Sequence, residues 1–129
     1  MERSGVVVRA LAVSKQTRTR VRVASLLMAQ GVEVHTASSA NAARTKMTHK
    51  HFGLVVIDLH IGEELGSELA KDLKNLDIDT NILIIGKDAD EAIKFGAFGC
   101  EYLCKPVKEK ELEEIISNWD VSESSSCGD

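Results

Sequence analysis

The sequence predicts an α/β fold, a doubly wound parallel sheet of five strands with five helices distributed over its two faces. Three observations predict it. Short β-branched runs alternate with amphipathic helical stretches along the chain. Two of the runs, Leu54–Ile57 and Ile82–Ile85, are apolar throughout, the pattern of strands covered on both faces. The series ends in a helix, so strands are joined by helical crossovers, and crossovers make neighbouring strands parallel.

The first strand is predicted over 6–13, VVVRALAV. A helix follows from Thr17 to Gln30, where Val23, Leu26 and Leu27, with Ala24 and Met28, share a face at i, i+3, i+4 spacing. Gly31 is its stop signal. The stretch from Val32 to Ala37 alternates apolar and polar, as an edge strand does. Ser38 and Ser39 can cap a second helix that turns Ala40, Ala43 and Met47 inward. Leu54–Ile57 then delivers Asp58 at the end of a buried strand. A glycine-containing loop over 59–66 leads to a third helix with Leu69, Leu73 and Leu76 on one stripe. After the fourth strand, Asp88 or Asp90 starts a short fourth helix that stops near Gly96. Glu101–Cys104 forms the fifth strand. Lys108–Trp119 forms the last helix, with Leu112, Ile115, Ile116 and Trp119 on one face.

With 129 residues, 43% apolar and 28% charged, the chain fits one globular domain that can bury a core without disulfides or metals. That domain is expected over 1–120, with 121–129, VSESSSCGD, as a frayed tail or the start of a linker. Charge is unevenly spread. Residues 1–50 carry nine Lys or Arg against two acids, a surplus of seven; the remainder carries seven against eighteen, a deficit of eleven. Such asymmetry marks either a docking surface or solvated basic faces. No signal peptide and no apolar run of membrane length occurs, so a cytoplasmic setting without membrane contact is expected. Cys100, Cys104 and Cys127 lack metal or redox spacing; Cys100 and Cys104 are expected to be packing residues. Arg18, Arg20 and Arg22 suit an acidic docking partner or a solvated face. Nucleic-acid binding is not expected from an acidic chain with few aromatics.

In a doubly wound sheet, ligands gather outside the carboxyl ends of the strands. The residues there are Ser14 and Lys15, Asp58, Gly86 and Lys87, and Lys105 with Pro106. Asp58 and Lys105 would face each other. Such a pair suits a phosphoryl acceptor with a lysine to hold the phosphoryl oxygens, and equally a structural ion pair; spacing does not separate the two.

Two stretches carry a resemblance. FGLVVIDLHIGEELG, residues 52–66, and FGCEYLCKPV, residues 98–107, resemble the signatures of the response-regulator receiver domain of two-component signalling. The resemblance spans 6–119. It implies a flavodoxin-like sheet of order 2-1-3-4-5, with Asp58 at the phosphoacceptor position and Lys105 at the conserved-lysine position. It also implies a cis Lys105–Pro106 peptide, Tyr102 at the aromatic switch position and Gly86 at the hydroxyl switch position.

The chain departs from that family where phosphoryl chemistry needs it most. Receivers usually end the first strand with two acids that hold a divalent cation; here stand Ser14 and Lys15. At ~4 Å and an effective dielectric near 20, each unit-charge contact is worth about 4 kcal/mol, so exchanging attraction for repulsion should abolish tight metal binding. Gly86 stands where a Ser or Thr hydroxyl usually follows the phosphoryl group. Lys87 stands where a small residue is usual, and Gly62 where a proline is common. The stretch from Gly86 to Lys105 is a few residues short, which would trim the fourth helix. Lys15, Lys87 and Lys105 would together surround Asp58 and imitate the charge balance a cation provides. Glu63, Glu64 or Asp88 are the candidates to replace the missing ligands.

The reading is therefore an atypical, or pseudo-, receiver. It is a non-enzymatic module without metal or cofactor that acts through contacts with a signalling protein or histidine kinase. The expected face holds Tyr102 and the acidic last helix, Glu109, Glu111, Glu113 and Glu114; a homodimer could use the same face. The alternative is a working phosphoacceptor that uses Mg2+ to take a phosphoryl group from a histidine kinase onto Asp58. Two other motifs are weaker. DLHIGEELG shares an Asp and His with the cobalamin-binding signature, but Gly62 is misplaced by one, leaving His60 as an exposed loop residue. SKQTRTR has the hydroxyls of a flavin phosphate loop and no glycine.

Overall fold

The computed structural model describes residues 9–77, 79–94 and 101–121, and the side chains of these up to residue 117. Five parallel strands form one sheet: β1 (Arg9–Val13), β2 (Glu33–Ala37), β3 (Leu54–Asp58), β6 (Asn81–Gly86) and β7 (Glu101–Cys104). Their order is β2-β1-β3-β6-β7, the predicted 2-1-3-4-5. The two further strands, β4 (His60–Ile61) and β5 (Glu64–Leu65), form a small antiparallel hairpin between β3 and α3, in a stretch expected to be a plain loop.

The strands are ordered by burial. All of β3 is buried and β6 is buried from Ile82 onward, as continuous apolar runs require. The edge strand β2 exposes Glu33 and Thr36. Helices α1 (Thr17–Met28) and α5 (Glu109–Val121) cover one face, where Val23, Leu27, Leu112 and Ile116 pack on Ala12, Val56 and Ile85. Helices α2 (Ala40–His49), α3 (Gly66–Leu76) and α4 (Ala89–Lys94) lie on the other. There Ala43, Met47, Leu69 and Leu73 pack on Leu11, Val55 and Ile84, with Ala92 of α4 against the same core.

Local chemistry explains most of the boundaries. Ser39, not Ser38, caps α2 by accepting the Ala42 amide at 3.1 Å. Asp88 plays that part for α4, accepting the Glu91 amide at 3.0 Å. Gly31 ends the α1 turn at φ +82°, a region that only glycine enters at little cost.

Three expectations about packing fail. Met28 and Leu76 are half exposed, at 56% and 50%, because each lies in the last turn of its helix, beyond the sheet it would cover. Cys104 is exposed rather than a packing residue, since it ends edge strand β7 with its side chain outward. The expected stop near Gly96, Cys100 and Cys127, the Trp119 side chain, and the chain before Arg9 and after Val121 lie outside the described residues.

Candidate functional site

The carboxyl ends of β1, β3, β6 and β7 meet, as the winding requires. Asp58 ends β3 at 2% exposure. A carboxylate taken out of water must be paired and hydrogen-bonded, or its desolvation is uncompensated. Two side chains meet that demand. The Lys105 ammonium lies 3.0 Å from both Oδ1 and Oδ2 of Asp58. The Ser14 hydroxyl donates to Oδ2 at 2.9 Å.

Both partners are themselves fixed. Ser14 is 2% exposed; its Oγ accepts the Gln16 amide at 3.1 Å and its carbonyl accepts from the Arg20 guanidinium at 2.7 Å. The Lys105 amide donates to the Gly86 carbonyl at 2.7 Å, and the Lys105–Pro106 peptide is cis. One turn further, Arg22 of α1 donates to the Val107 carbonyl at 2.9 Å and ties α1 to the chain that carries Lys105. The arginines that sequence reasoning placed on a docking or solvated face thus include two that brace the site. Nothing in their spacing distinguishes that role.

Gly66 is a second missed element. A Cβ there would lie 2.4 Å from the Asp58 carbonyl oxygen, 2.9 Å from Ile57 Cγ2 and 3.1 Å from Leu59 Cα. Its amide donates to the Leu59 carbonyl. The first residue of α3 can therefore lie against the strand end only without a side chain.

The expected triple-lysine cluster is not formed. Among the described residues, the cation paired with Asp58 is Lys105. Lys15 is exposed and turns toward the hairpin: the position of a Cβ on Gly62 lies 3.8 Å from Lys15 Cδ and 3.9 Å from its Nζ. With Ser39, Asn41, Glu63 and Glu64 it lines an open basin of ≈ 580 Å³. Lys15 lies past the end of β1, where the chain bends, and its side chain lies along the hairpin rather than over Asp58. Lys87 is also exposed, with its amide on the Glu91 carboxylate at 3.1 Å. Gly62 has φ +64° at the first position of the hairpin's two-residue turn, a conformation closed to proline, whose ring fixes φ near −65°.

Two of the three candidate replacement ligands, Glu64 and Asp88, are occupied elsewhere. Glu64 is held by Arg44, which also binds Asp72 at 2.7 Å and so joins the hairpin to α2 and α3. Asp88 caps α4 through its carboxylate. Glu63 is exposed and lines the Lys15 basin. His60 is exposed, as expected, but belongs to a strand and pairs with Glu91 at 3.4 Å. At the switch positions, the Tyr102 hydroxyl donates to the Asp88 carbonyl at 2.8 Å and lies over Gly86.

The model of the response regulator receiver domain matches residues 10–117 of this chain. The chain belongs to the response regulator receiver family. Solved receivers share its fold. One is a receiver domain protein from Clostridium thermocellum, with 24% identity and a TM-score of 0.79 over 92% of this chain and 98% of that one. Another is the response regulator TrrA of Thermotoga maritima, solved with Mg2+ and beryllofluoride, with 22% identity and a TM-score of 0.78 over 87% and 98%. A third is the chemotaxis regulator CheY4 of Vibrio cholerae, with 24% identity and a TM-score of 0.76 over 88% and 99%. No curated protein matches the sequence closely enough to name a relative.

A receiver of two-component signalling implies a divalent cation beside its aspartate, and the residues present do not fit one. Magnesium takes hard oxygen ligands, usually carboxylates and waters, in octahedral array. The strand ends offer one carboxylate, Asp58, already engaged on both oxygens by an ammonium. Ser14 adds a neutral oxygen that is already donor and acceptor. Among the described residues no three His, Cys, Asp or Glu side chains converge on a point. At these strand ends the described residues hold Asp58 paired with Lys105, beside a buried Ser14 and an exposed Lys15. No helix among the described residues is long and apolar enough to cross a membrane.

Proposed function

We propose that this receiver works in signal transduction through protein contacts, with phosphorylation of Asp58 weak or absent. The observation that carries the reading is the state of the Asp58 carboxylate, neutralised by Lys105 and hydrogen-bonded to Ser14 where other receivers place metal-binding acids. Phosphoryl transfer relies on a cation to offset charge on the incoming group. A single lysine that already serves the carboxylate leaves that charge largely uncompensated. On this reading the module is not an enzyme and takes no metal or cofactor.

The contact surface is the face built from α4, β7 and α5. Glu109, Glu111, Glu113 and Glu114 are exposed along α5, and Ile93 of α4 is 72% exposed. A signalling partner with a basic docking surface suits that charge; pairing of two copies would have to overcome like-charge repulsion there. A cytoplasmic location goes with this role. The Asp58–Lys105 contact favours one second reading, a receiver that still accepts a phosphoryl group from a histidine kinase on Asp58.

Incubation with acetyl phosphate and Mg2+, read by intact mass, separates the two. The expected result is no phosphoryl adduct above that of Asp58→Asn. An Mg2+-dependent adduct lost in Asp58→Asn would establish the second reading instead.

A further inference from the structure

We infer that Gly86 and Tyr102 form a fixed latch, in which the phenol fills the space a side chain at the end of β6 would need and holds the β7–α4 surface in one arrangement whatever the state of Asp58. The use of that surface rests on the protein-contact reading above; the latch itself is a property of the packing.

The geometry is exclusive. A Cβ at position 86 would lie 2.1 Å from the Tyr102 hydroxyl oxygen, 3.0 Å from Cζ and 3.2 Å from Cε1. No side chain at 86 can coexist with the ring in this place. The backbone does not ask for glycine here, because the positive-φ glycines are Gly31 and Gly62. What requires Gly86 is the ring.

The ring is also tethered. Its hydroxyl donates to the Asp88 carbonyl at 2.8 Å, so β7 is tied to the entry of α4. Tyr102 packs with Ala92 against the core on that face of the sheet. Burial pushes the phenol up to about 12, with the Cys104 thiol, Glu91 and Asp88 adding to the shift and the Asp88 hydrogen bond opposing it.

Asp58 has no side-chain lever at position 86. Its carboxylate is hydrogen-bonded to Ser14 and Lys105, which follow β1 and β7. In the sheet it pairs with Ile85, and the next residue, Gly86, has no side chain to move toward or away from it. A change at Asp58 would have to reach Tyr102 through Lys105 and the backbone bond from its amide to the Gly86 carbonyl.

Tyr102 is the single tyrosine of the chain, so carbon-13 labelling of tyrosine Cζ reports this ring alone. At pH about 11 a phenol titrating near 12 is about one-tenth ionised and an ordinary one near 10 about nine-tenths. The native chain should show a Cζ resonance that hardly moves up to that pH. Gly86→Thr should expel the ring and give a titration near 10; if it fails to fold, Gly86→Ala should do the same. Neither Asp58→Asn nor beryllofluoride with Mg2+ should alter the native resonance. Ordinary titration in the native chain would refute the latch, as would a resonance that responds to either change at Asp58. Fluorine spectra of the same sample keep the two claims apart. A bound beryllofluoride beside an unmoved tyrosine would overturn weak phosphorylation and leave the latch standing. No adduct with an ordinarily titrating tyrosine would do the reverse.

Discussion

Gly66→Ala is expected to destabilise the domain by about 2–3 kcal/mol, the upper part of the range for overpacking a rigid site. The atom a new methyl meets first is the Asp58 carbonyl oxygen, at 2.4 Å, and a backbone oxygen in a central strand cannot swing aside as a side-chain tip can. Relief requires α3 to lift from β3, which breaks the hydrogen bond from the Gly66 amide to the Leu59 carbonyl and loosens Leu69 and Leu73 in the core. The gain in helix propensity from glycine to alanine, about 1 kcal/mol in a helix interior, is smaller at the first helical position and does not offset this. For a domain of this size the thermal midpoint should fall by roughly 6–15 °C. A midpoint unchanged from the native chain would mean that α3 does not approach the strand as closely as described.

Lys105→Met should also cost about 2–3 kcal/mol, for a different reason. It removes the cation and leaves Asp58 with one neutral donor at 2% exposure. Breaking a fully buried pair costs about 3–5 kcal/mol, and the figure is reduced here because the Lys105 side chain is 29% exposed. The methionine stem keeps most of the packing, so the loss reports charge. Pairing the change with Asp58→Asn removes the unpaired anion, and the double variant should be more stable than Lys105→Met alone. Urea midpoints at constant slope, combined in a double-mutant cycle, read this coupling. Additive effects would show that the two groups do not depend on each other.

Much of this was legible in the sequence because period and burial coincide. Leu54–Ile57 and Ile82–Ile85 are apolar without interruption, the pattern of strands covered on both sides. Lys105 opposite Asp58 followed from the winding, which brings strand ends together however far apart they lie in the chain. Direction of side chains was not legible. Lys15 and Lys87 follow the right strand ends but are exposed, because each lies in a bend past its strand, where no period fixes the direction of a side chain. The hairpin over 60–65 was hidden because two-residue strands carry no period. Gly66 and Gly86 were hidden for a shared reason: a glycine required by a neighbour's atoms rather than by its own dihedrals leaves no local mark. At Gly86 the sequence shows the missing hydroxyl, whereas the tyrosine filling its place shows only in the folded chain.

The central proposal is that the Asp58 pocket does not hold a divalent cation and so lacks efficient phosphoryl chemistry. A magnesium titration followed by backbone amide shifts at Ser14, Asp58, Leu59 and Lys105 tests it most directly. The account predicts no saturable shift at these positions. A saturable shift there, abolished by Asp58→Asn, would contradict it.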